Sequence, residues 1–307
     1  MKKISVAIAT YNGAKYLRNQ LDSLYAQTRV PDEVVVTDDC STDSTLDILI
    51  EYNSRYGLKY FINDIPLGVN KNFEKAISLC LGDYIAICDQ DDIWLPSKIE
   101  KSYLRLQEIE KNGFPSLVTS TNIHINSKGE KIGANRKEKD SFSYTTSLWG
   151  NRNQGCTLMM NRQLLDKVIP FPQNNIMYDA YIGLTAAMIG NKYDIGEPLM
   201  LYRLHSNNVI GGNGSQSVLA KLNRLRFKYQ GFFHPQRLNL LLKVETQNSL
   251  YFLPERIKLF NLLKSIHSTN NVFKKLVLLF RIKELDILKK IYISFIIFIS
   301  TFLKQKA

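Results

Sequence analysis

Three carboxylates fall within four residues in Asp89-Gln90-Asp91-Asp92. They directly follow an apolar, strand-like run, Tyr84-Ile85-Ala86-Ile87-Cys88. Side chains alternate along a strand, so Asp89 and Asp91 can point to one side at its end. Carboxylates this close repel unless a cation or cationic partner sits between them. Hard oxygen ligands suit Mg²⁺ or Mn²⁺, which keep several waters and bind substrate phosphates as well. The pattern suggests a metal-bridged diphosphate site at the carboxyl edge of a sheet. It also fits an acidic turn that starts the next helix, because Asp and the nearby Pro96 both favour helix starts.

Such a site needs elements to hold it. Residues 4–9 are strand-like, and 12–28 carry Tyr16, Leu17, Leu21, Leu24 and Tyr25 at helical spacing. Glu33-Val34-Val35-Val36-Thr37 is a second strand; Asp38 to Asp43 is a turn. Ser41 or Thr42 is the expected cap of a helix over 44–55. A third strand over 59–62, a helix over 70–80, a fourth strand over 84–88 and a helix over 96–111 follow. Strand–helix alternation predicts a parallel α/β sheet, whose ligands bind beyond the carboxyl ends of the strands. Thr10-Tyr11-Asn12, Asp38-Asp39 and Asp89 to Asp92 all lie at those ends, which points to one composite site.

Beyond residue 116 the signals shorten. Strands are expected over 117–120 and 157–160, a polar loop over 126–150, a helix over 179–189, and strands over 193–195 and 199–203. Gly211-Gly212-Asn213-Gly214 reads as a linker, and helix-like segments punctuated by Pro235 and Pro254 follow it.

The chain of 307 residues, 45% hydrophobic, has room for a substantial core in one large domain or two smaller ones. Its cysteines, at 40, 80, 88 and 156, lack paired metal-ligand spacing and read as reduced thiols of a cytosolic protein. Met1-Lys2-Lys3 and the apolar run after it are too short for a signal peptide and read as a first buried strand. The net charge of +12 is uneven. Residues 215–307 hold 17 Lys and Arg against 4 Asp and Glu, whereas residues 1–214 hold 23 against 24. A basic, helix-prone tail on a neutral body points to an anionic partner surface.

Seven ordered pieces carry a resemblance. They are 6–13 (Val-Ala-Ile-Ala-Thr-Tyr-Asn-Gly), 36–43 (Val-Thr-Asp-Asp-Cys-Ser-Thr-Asp), 68–73 (Gly-Val-Asn-Lys-Asn-Phe) and 89–96 (Asp-Gln-Asp-Asp-Ile-Trp-Leu-Pro), followed by 154–157 (Gln-Gly-Cys-Thr), 177–181 (Met-Tyr-Asp-Ala-Tyr) and 202–211, which opens Tyr-Arg-Leu-His. Through them residues 1–212 resemble the family 2 glycosyltransferases, above all bacterial rhamnosyltransferases of surface polysaccharide. The resemblance implies the GT-A fold, an α/β mixed sheet flanked by helices that binds a nucleotide-sugar. It implies that Thr10, Tyr11 and Asn12 line the nucleotide pocket, that Asp39 accepts from the pyrimidine ring nitrogen, and that Asp89 and Gln90 lie in the nucleotide-sugar motif with Asp89 at the ribose. Lys71 would reach base or phosphate, unless it is a solvated helix-start lysine. Asp91 would ligate the metal. Arg203 and His205 match the motif that closes over the diphosphate, His205 as a phosphate or metal contact; without that match a lone histidine reads as structural. Asp179 matches the general base, although Tyr178 and Ala180 depart from the common pattern of His before it and Trp after it. Its competing role is a helix N-cap.

The tail, 213–307, lies outside the resemblance and reads as a basic helical C-terminal region. Its residues 291–303 are apolar with lysines at both ends, too few for a span of about 20 residues. They suit a helix lying in the membrane interface, in peripheral contact with anionic lipid. Alternatively that helix packs on the catalytic domain or on a second subunit, giving a homodimer through the C-terminal region. Nothing in the tail resembles a nucleic-acid recognition motif. The reading is then a cytoplasmic, inverting enzyme at the inner face of the membrane. It would pass a sugar from a dTDP- or UDP-sugar donor to a lipid-linked oligosaccharide acceptor. The rivals are a catalytically inactive binding protein of the same fold and a nucleotidyltransferase; for the latter, Thr10-Tyr11-Asn12-Gly13 is not the expected Gly-rich phosphate loop.

A chain ending near Lys289 is expected to bind anionic liposomes far less than the full chain in co-sedimentation, while still acting on donor with a soluble acceptor. Equal binding by the two forms would remove residues 291–303 from the membrane.

Overall fold

Ile4–Thr10 (β1), Glu33–Asp38 (β2) and Tyr84–Cys88 (β4) are buried almost throughout. Continuous apolar runs of this kind require a sheet covered on both faces. A computed structural model describes residues 2–110, 113–134, 141–142, 154–172, 176–205, 235–269, 271–282 and 294. β1 pairs in parallel with β2, Thr10 opposite Asp38, and with β4, Ile8 opposite Cys88. Lys59–Ile62 (β3) continues this parallel group at the edge beside β2. The register therefore brings the three polar clusters to one sheet edge, as expected.

The remaining strands are Ile93–Trp94 (β5), Ser116–Ile125 (β6), Lys131–Ala134 (β7), Ser141–Phe142 (β8), Met159–Asn161 (β9) and Asn191–Arg203 (β10). They join one sheet in the order β3-β2-β1-β4-β9-β6-β10-β5, with β7 beside β6 and β8 beside β10. Strand alternation alone predicts a parallel sheet; the sheet is mixed, because β9 runs antiparallel to both β4 and β6, and β5 antiparallel to β10. The two short strands expected over 193–203 are one, irregular between Ile195 and Leu201, where Pro198 has no N–H to donate. Part of the loop expected over 126–150 is instead the β6–β7 hairpin, turned at Asn126, whose side-chain oxygen accepts from the backbone N–H of Lys128 and Glu130.

Ala14–Tyr25 (α1), Thr45–Tyr56 (α2) and Lys98–Ile109 (α4) cover one face of the sheet. Val69–Ser78 (α3), Arg162–Val168 (α5) and Tyr178–Ile189 (α6) cover the other. Neither Ser41 nor Thr42 caps α2: Ser44 holds the cap position, and both hydroxyls are used within the loops of the site.

Pro235–Asn248 (α7), Pro254–Ser268 (α8) and Val272–Phe280 (α9) form the described part of the C-terminal region. Both prolines open helices, where a missing N–H is harmless. These helices share the core of α6: Leu241, Val244, Phe260, Leu263 and Leu279 are buried with Tyr181, Ile182 and Ile189. Arg256 Nη1 donates to the carbonyls of Ala187 (2.7 Å) and Gly190 (2.5 Å), meeting the end of α6 where acceptors are left over. Tyr181 donates its hydroxyl to Gln247 Oε1 at 2.6 Å. The linker at 211–214 and the apolar segment 291–303, apart from Ser294, lie outside the described residues.

Arg256→Ala removes charge-assisted hydrogen bonds, each of the kind that contributes about 1.5–3 kcal/mol. Urea unfolding should show a loss of about that size. An unchanged midpoint would mean that α8 docks without this contact.

Candidate active site

β4 ends at Cys88, and the next four residues turn back toward β5. Asp91 and His205, both expected at the metal, are brought together: Oδ2 and Nε2 stand 2.7 Å apart, each side chain partly accessible at 16% and 13%. Asp92 is fully buried. Its Oδ1 accepts the backbone N–H of Arg203 at 3.0 Å, so the carboxylate loop is tied to the last residue of β10. The ligand atoms of Asp89, Asp92 and Cys156 lie within 4.8 Å of one another.

Burial, then the charge of Asp91, pushes the Asp89 carboxyl up to about 7, and Asp179 adds to the shift. Burial, then Asp89, drives Asp92 well above the carboxylate range. Beneath them Lys98 is buried, its ammonium 4.6 Å from the Trp94 ring; burial brings its pKa down to about 8. A carboxylate oxygen and an imidazole nitrogen at hydrogen-bond distance, beside a carboxyl that gives up its proton reluctantly, fit a divalent cation of the Mg²⁺ or Mn²⁺ kind.

Arg203, expected at the diphosphate, is only 2% exposed. Its Nε donates to the Asp91 carbonyl at 2.8 Å, and its Nη1 reaches the carbonyls of Asn126 and Ser127 at 3.4 Å. In this arrangement it positions the Asp91 backbone. Tyr16 completes the stack, its ring 4.5 Å from the Arg203 guanidinium carbon and 5.1 Å from the His205 ring. Helical spacing predicts Tyr16 only as part of an apolar face, so this role was not readable from the sequence.

On the nucleotide side, Thr10 is turned inward rather than lining the pocket. Its hydroxyl donates to Asp38 Oδ2 at 2.7 Å, because the last residue of a central strand is enclosed by its neighbours. Tyr11 is 56% exposed. Its backbone N–H and carbonyl pair with the side-chain amide of Gln90 at 2.9 and 3.0 Å, so Gln90 joins the β1 loop to the carboxylate loop. A Cβ on Gly13 would come 2.2 Å from Gln90 Oε1, so a larger residue there would push the Gln90 side chain off its pairing with Tyr11. Asn12 and Cys40 carry φ of 47° and 65°, the positive-φ residues other than glycine among those described. Asn12 tolerates that conformation, and its Oδ1 accepts from the Thr42 backbone at 2.8 Å.

Asp39 is held by three donors: Asn63 Nδ2 (2.9 Å), Leu67 N (2.7 Å) and Gly68 N (2.9 Å). A carboxylate offers about four acceptor directions, which leaves one for a ligand N–H. Asn72, buried behind it, donates to the carbonyls of Thr10 and Thr37 and accepts from Asn63. Asn63 lies in unremarkable local sequence and Asn72 within the 68–73 piece, and the role of each emerges only from the crossing of three loops. Lys71 is ion-paired with Glu74 at 2.8 Å, turned along its own helix rather than to the pocket.

Asp179 lies in the first turn of α6, largely buried. The cap position belongs to Met177, so Asp179 is not an N-cap; its Oδ1 accepts from Ala180 N at 2.6 Å. A helix N-terminus favours a carboxylate there. The neighbouring Tyr178 packs between Phe73 and Phe171. A Cβ on Gly155 would come 1.8 Å from its hydroxyl oxygen, which explains that glycine.

With this geometry in view, the relationships of the chain can be stated. Residues 5–169, more than half of it, match the family model described as Glycosyl transferase family 2, and the protein belongs to that family. It is a glycosyltransferase of the GT-A fold, as the seven motifs imply. It is 31% identical over 234 residues to the dTDP-rhamnosyl transferase RfbG of Shigella flexneri, a match covering 71% of this chain and 78% of that protein. It is 28% identical over 234 residues to the putative teichuronic acid biosynthesis glycosyltransferase TuaG of Bacillus subtilis, covering 73% and 90%. Among solved structures, residues 1–349 of S. aureus TarS in complex with UDP superpose with a TM-score of 0.58 at 18% identity, covering 90% of this chain and 83% of that one. The mannosyltransferase PcManGT of Pyrobaculum calidifontis, in complex with GDP-Man and Mn2+, gives 0.57 at 16% identity, covering 90% and 73%.

The raised Asp89 carboxyl has a pH consequence. Its folded pKa, about 7, lies above the ordinary 3.8, so between these values the folded state holds a proton that the unfolded chain has lost. Stability of the metal-free protein should therefore fall as pH rises through this window. A bound cation relieves the repulsion, so the gain in melting temperature on adding Mg²⁺ should be larger at pH 8 than at pH 6. An equal gain at both would separate Asp89 from cation binding.

Proposed function

We propose that this glycosyltransferase is an inverting enzyme of bacterial surface polysaccharide synthesis. Its donor is a nucleoside-diphosphate sugar of the dTDP or UDP type, with rhamnose or another hexose as the sugar. Its acceptor is a lipid-linked oligosaccharide at the inner face of the cell membrane. The observation that carries the reading is the convergence of Asp91 and His205, with Asp89 and Asp179 beside them, at the sheet edge that also holds Asp39. The similarity to the dTDP-rhamnosyl transferase RfbG and the putative teichuronic acid biosynthesis enzyme TuaG, and the UDP and GDP-Man complexes of TarS and PcManGT, support the donor and pathway class. No helix among the described residues is long and apolar enough to cross a membrane, which is compatible with peripheral association.

The residues divide the work. Asp179 takes the proton of the acceptor hydroxyl, whose oxygen attacks the anomeric carbon from the face opposite the leaving group. The anomeric bond to the diphosphate breaks, the nucleoside diphosphate departs with the bonding electrons, and configuration at that carbon inverts. A divalent cation held by Asp91 and His205 would offset the charge that develops on the departing diphosphate. Asp39 orients the base through its remaining acceptor direction, and the Gln90–Tyr11 pairing keeps the nucleotide loop against the carboxylate loop.

Purified protein screened against a panel of nucleotide sugars should hydrolyse or transfer from one class of them. Asp91→Asn, or chelator on the parent, is expected to remove nearly all turnover, with Mg²⁺ or Mn²⁺ restoring the parent. Asp179→Asn should leave donor affinity unchanged while transfer falls by roughly 10²–10⁴-fold. Full activity in chelator would end the metal assignment; collapse of donor binding in the Asp179 variant would make it a donor-site residue.

A further inference from the structure

The first turns of α3 make contacts in two directions. Asn70, Phe73 and Glu74 share one side, at the i, i+3, i+4 spacing that brings helical side chains together. All three meet the segment that leads into α6. Asn70 Nδ2 donates to the Ile176 carbonyl at 2.7 Å, and Asn70 Oδ1 accepts from the Tyr178 N–H at 3.2 Å. The Phe73 and Tyr178 rings lie 4.7 Å apart, and Glu74 Oε2 accepts from the Phe171 N–H at 2.7 Å. Gly68, Asn72 and Lys75 meet the nucleotide side instead. The Gly68 N–H donates to Asp39 Oδ2 at 2.9 Å, Asn72 Oδ1 accepts from Asn63 at 3.0 Å, and Lys75 Nζ donates to Asn63 Oδ1 at 2.8 Å.

The two bonds of Asn70 are those a neighbouring strand would make. One amide takes the carbonyl of residue 176 and the N–H of residue 178, which holds the three residues 176–178 in one conformation. Met177, at the cap position of α6, is extended (φ −67°, ψ 135°), and its side chain makes no cap hydrogen bond. The first N–H groups of a helix have no partner within it. Asn70 supplies one for Tyr178 from 108 residues away in the chain. Asp179 is the next residue, so the turn that aims its carboxylate is pinned by Asn70.

We propose that Asn70 is a positioning residue for Asp179, and that α3 through it ties the base to the nucleotide pocket. The proposal rests on the reading of Asp179 as the general base. A base works only within hydrogen-bond reach of the hydroxyl it deprotonates, and a misplacement of about 1 Å costs about 10²-fold. Asn70 acts through Asp179, whereas Gly68 and Asn72 act on the donor side through Asp39 and Asn63.

The test uses the full chain and the donor that the nucleotide-sugar panel identifies. Asn70→Leu removes both hydrogen bonds at nearly constant volume. Its kcat for transfer, per folded protein by circular dichroism, should fall by about 10²-fold. Its affinity for UDP or dTDP in calorimetry should stay within about twofold of the parent's, because the contacts to Asp39 are untouched. The deciding measurement is a double-mutant cycle. In the Asp179→Asn background, Asn70→Leu should cost less than about twofold in transfer, since a base that is absent cannot be misplaced. Asn70→Ser keeps an acceptor oxygen and should fall between the parent and the leucine variant; where the leucine variant does not fold, the cycle is read with serine. An equal loss in both backgrounds would make Asn70 a residue of the fold alone and overturn the proposal. So would parent-like kcat in the Asn70 variants, or a loss of nucleotide affinity with kcat kept. Asp179→Asn that transfers like the parent, or a parent inactive on every donor, would overturn the reading of the site itself and this proposal with it.

Discussion

Asp89, Asp91 and Asp92 repel one another, and much of the site is an answer to that repulsion. Each carboxylate is handled differently. Asp92 is withdrawn into the core and accepts from the Arg203 backbone. Asp91 is paired with His205. Asp89 keeps its proton to an unusually high pH. These arrangements draw β10 against the end of β4, although the two strands are not neighbours in the sheet. Arg203 then serves as a strut, held by the Asp91 carbonyl above and the Tyr16 ring beside it.

The nucleotide side follows a different logic. There, side-chain amides and carboxylates replace the backbone pairing that ends where the strands end. Gln90 pairs with Tyr11 as another strand would, and Asn72 collects carbonyls from β1 and β2. Asp39 gathers the 63–68 loop through three donors. Such buried networks hold geometry only when nearly every member is satisfied, so single substitutions in them propagate. The positive φ of Asn12 and Cys40 marks tight turns in the two loops, which Asn12 joins through Ser41 and Thr42.

The C-terminal helices link this site to the rest of the chain. Asp179 lies at the start of α6, and the far end of α6 is held by Arg256 of α8. Catalytic geometry and C-terminal packing therefore share one helix.

The primary sequence was enough to determine the parallel core and the alignment of its polar clusters. Apolar runs at 4–9, 33–37 and 84–88 must be strands covered on both faces, and their carboxyl ends must lie together once they pair in parallel. Motif order was likewise enough for the family. Local pattern could not show that β9 enters the sheet antiparallel, since a three-residue strand carries too little periodicity to reveal its direction. Nor could it assign Thr10, Gln90 and Arg203 to positioning, or find Tyr16, Asn63 and Asn72. Those roles depend on groups that meet from well apart in the chain, 24 residues for Asn63 and Asp39 and 112 for Arg203 and Asp91. Only the tertiary fold decides that, because hydrogen-bond partners so distant are chosen by loop crossing and burial rather than by neighbours in sequence.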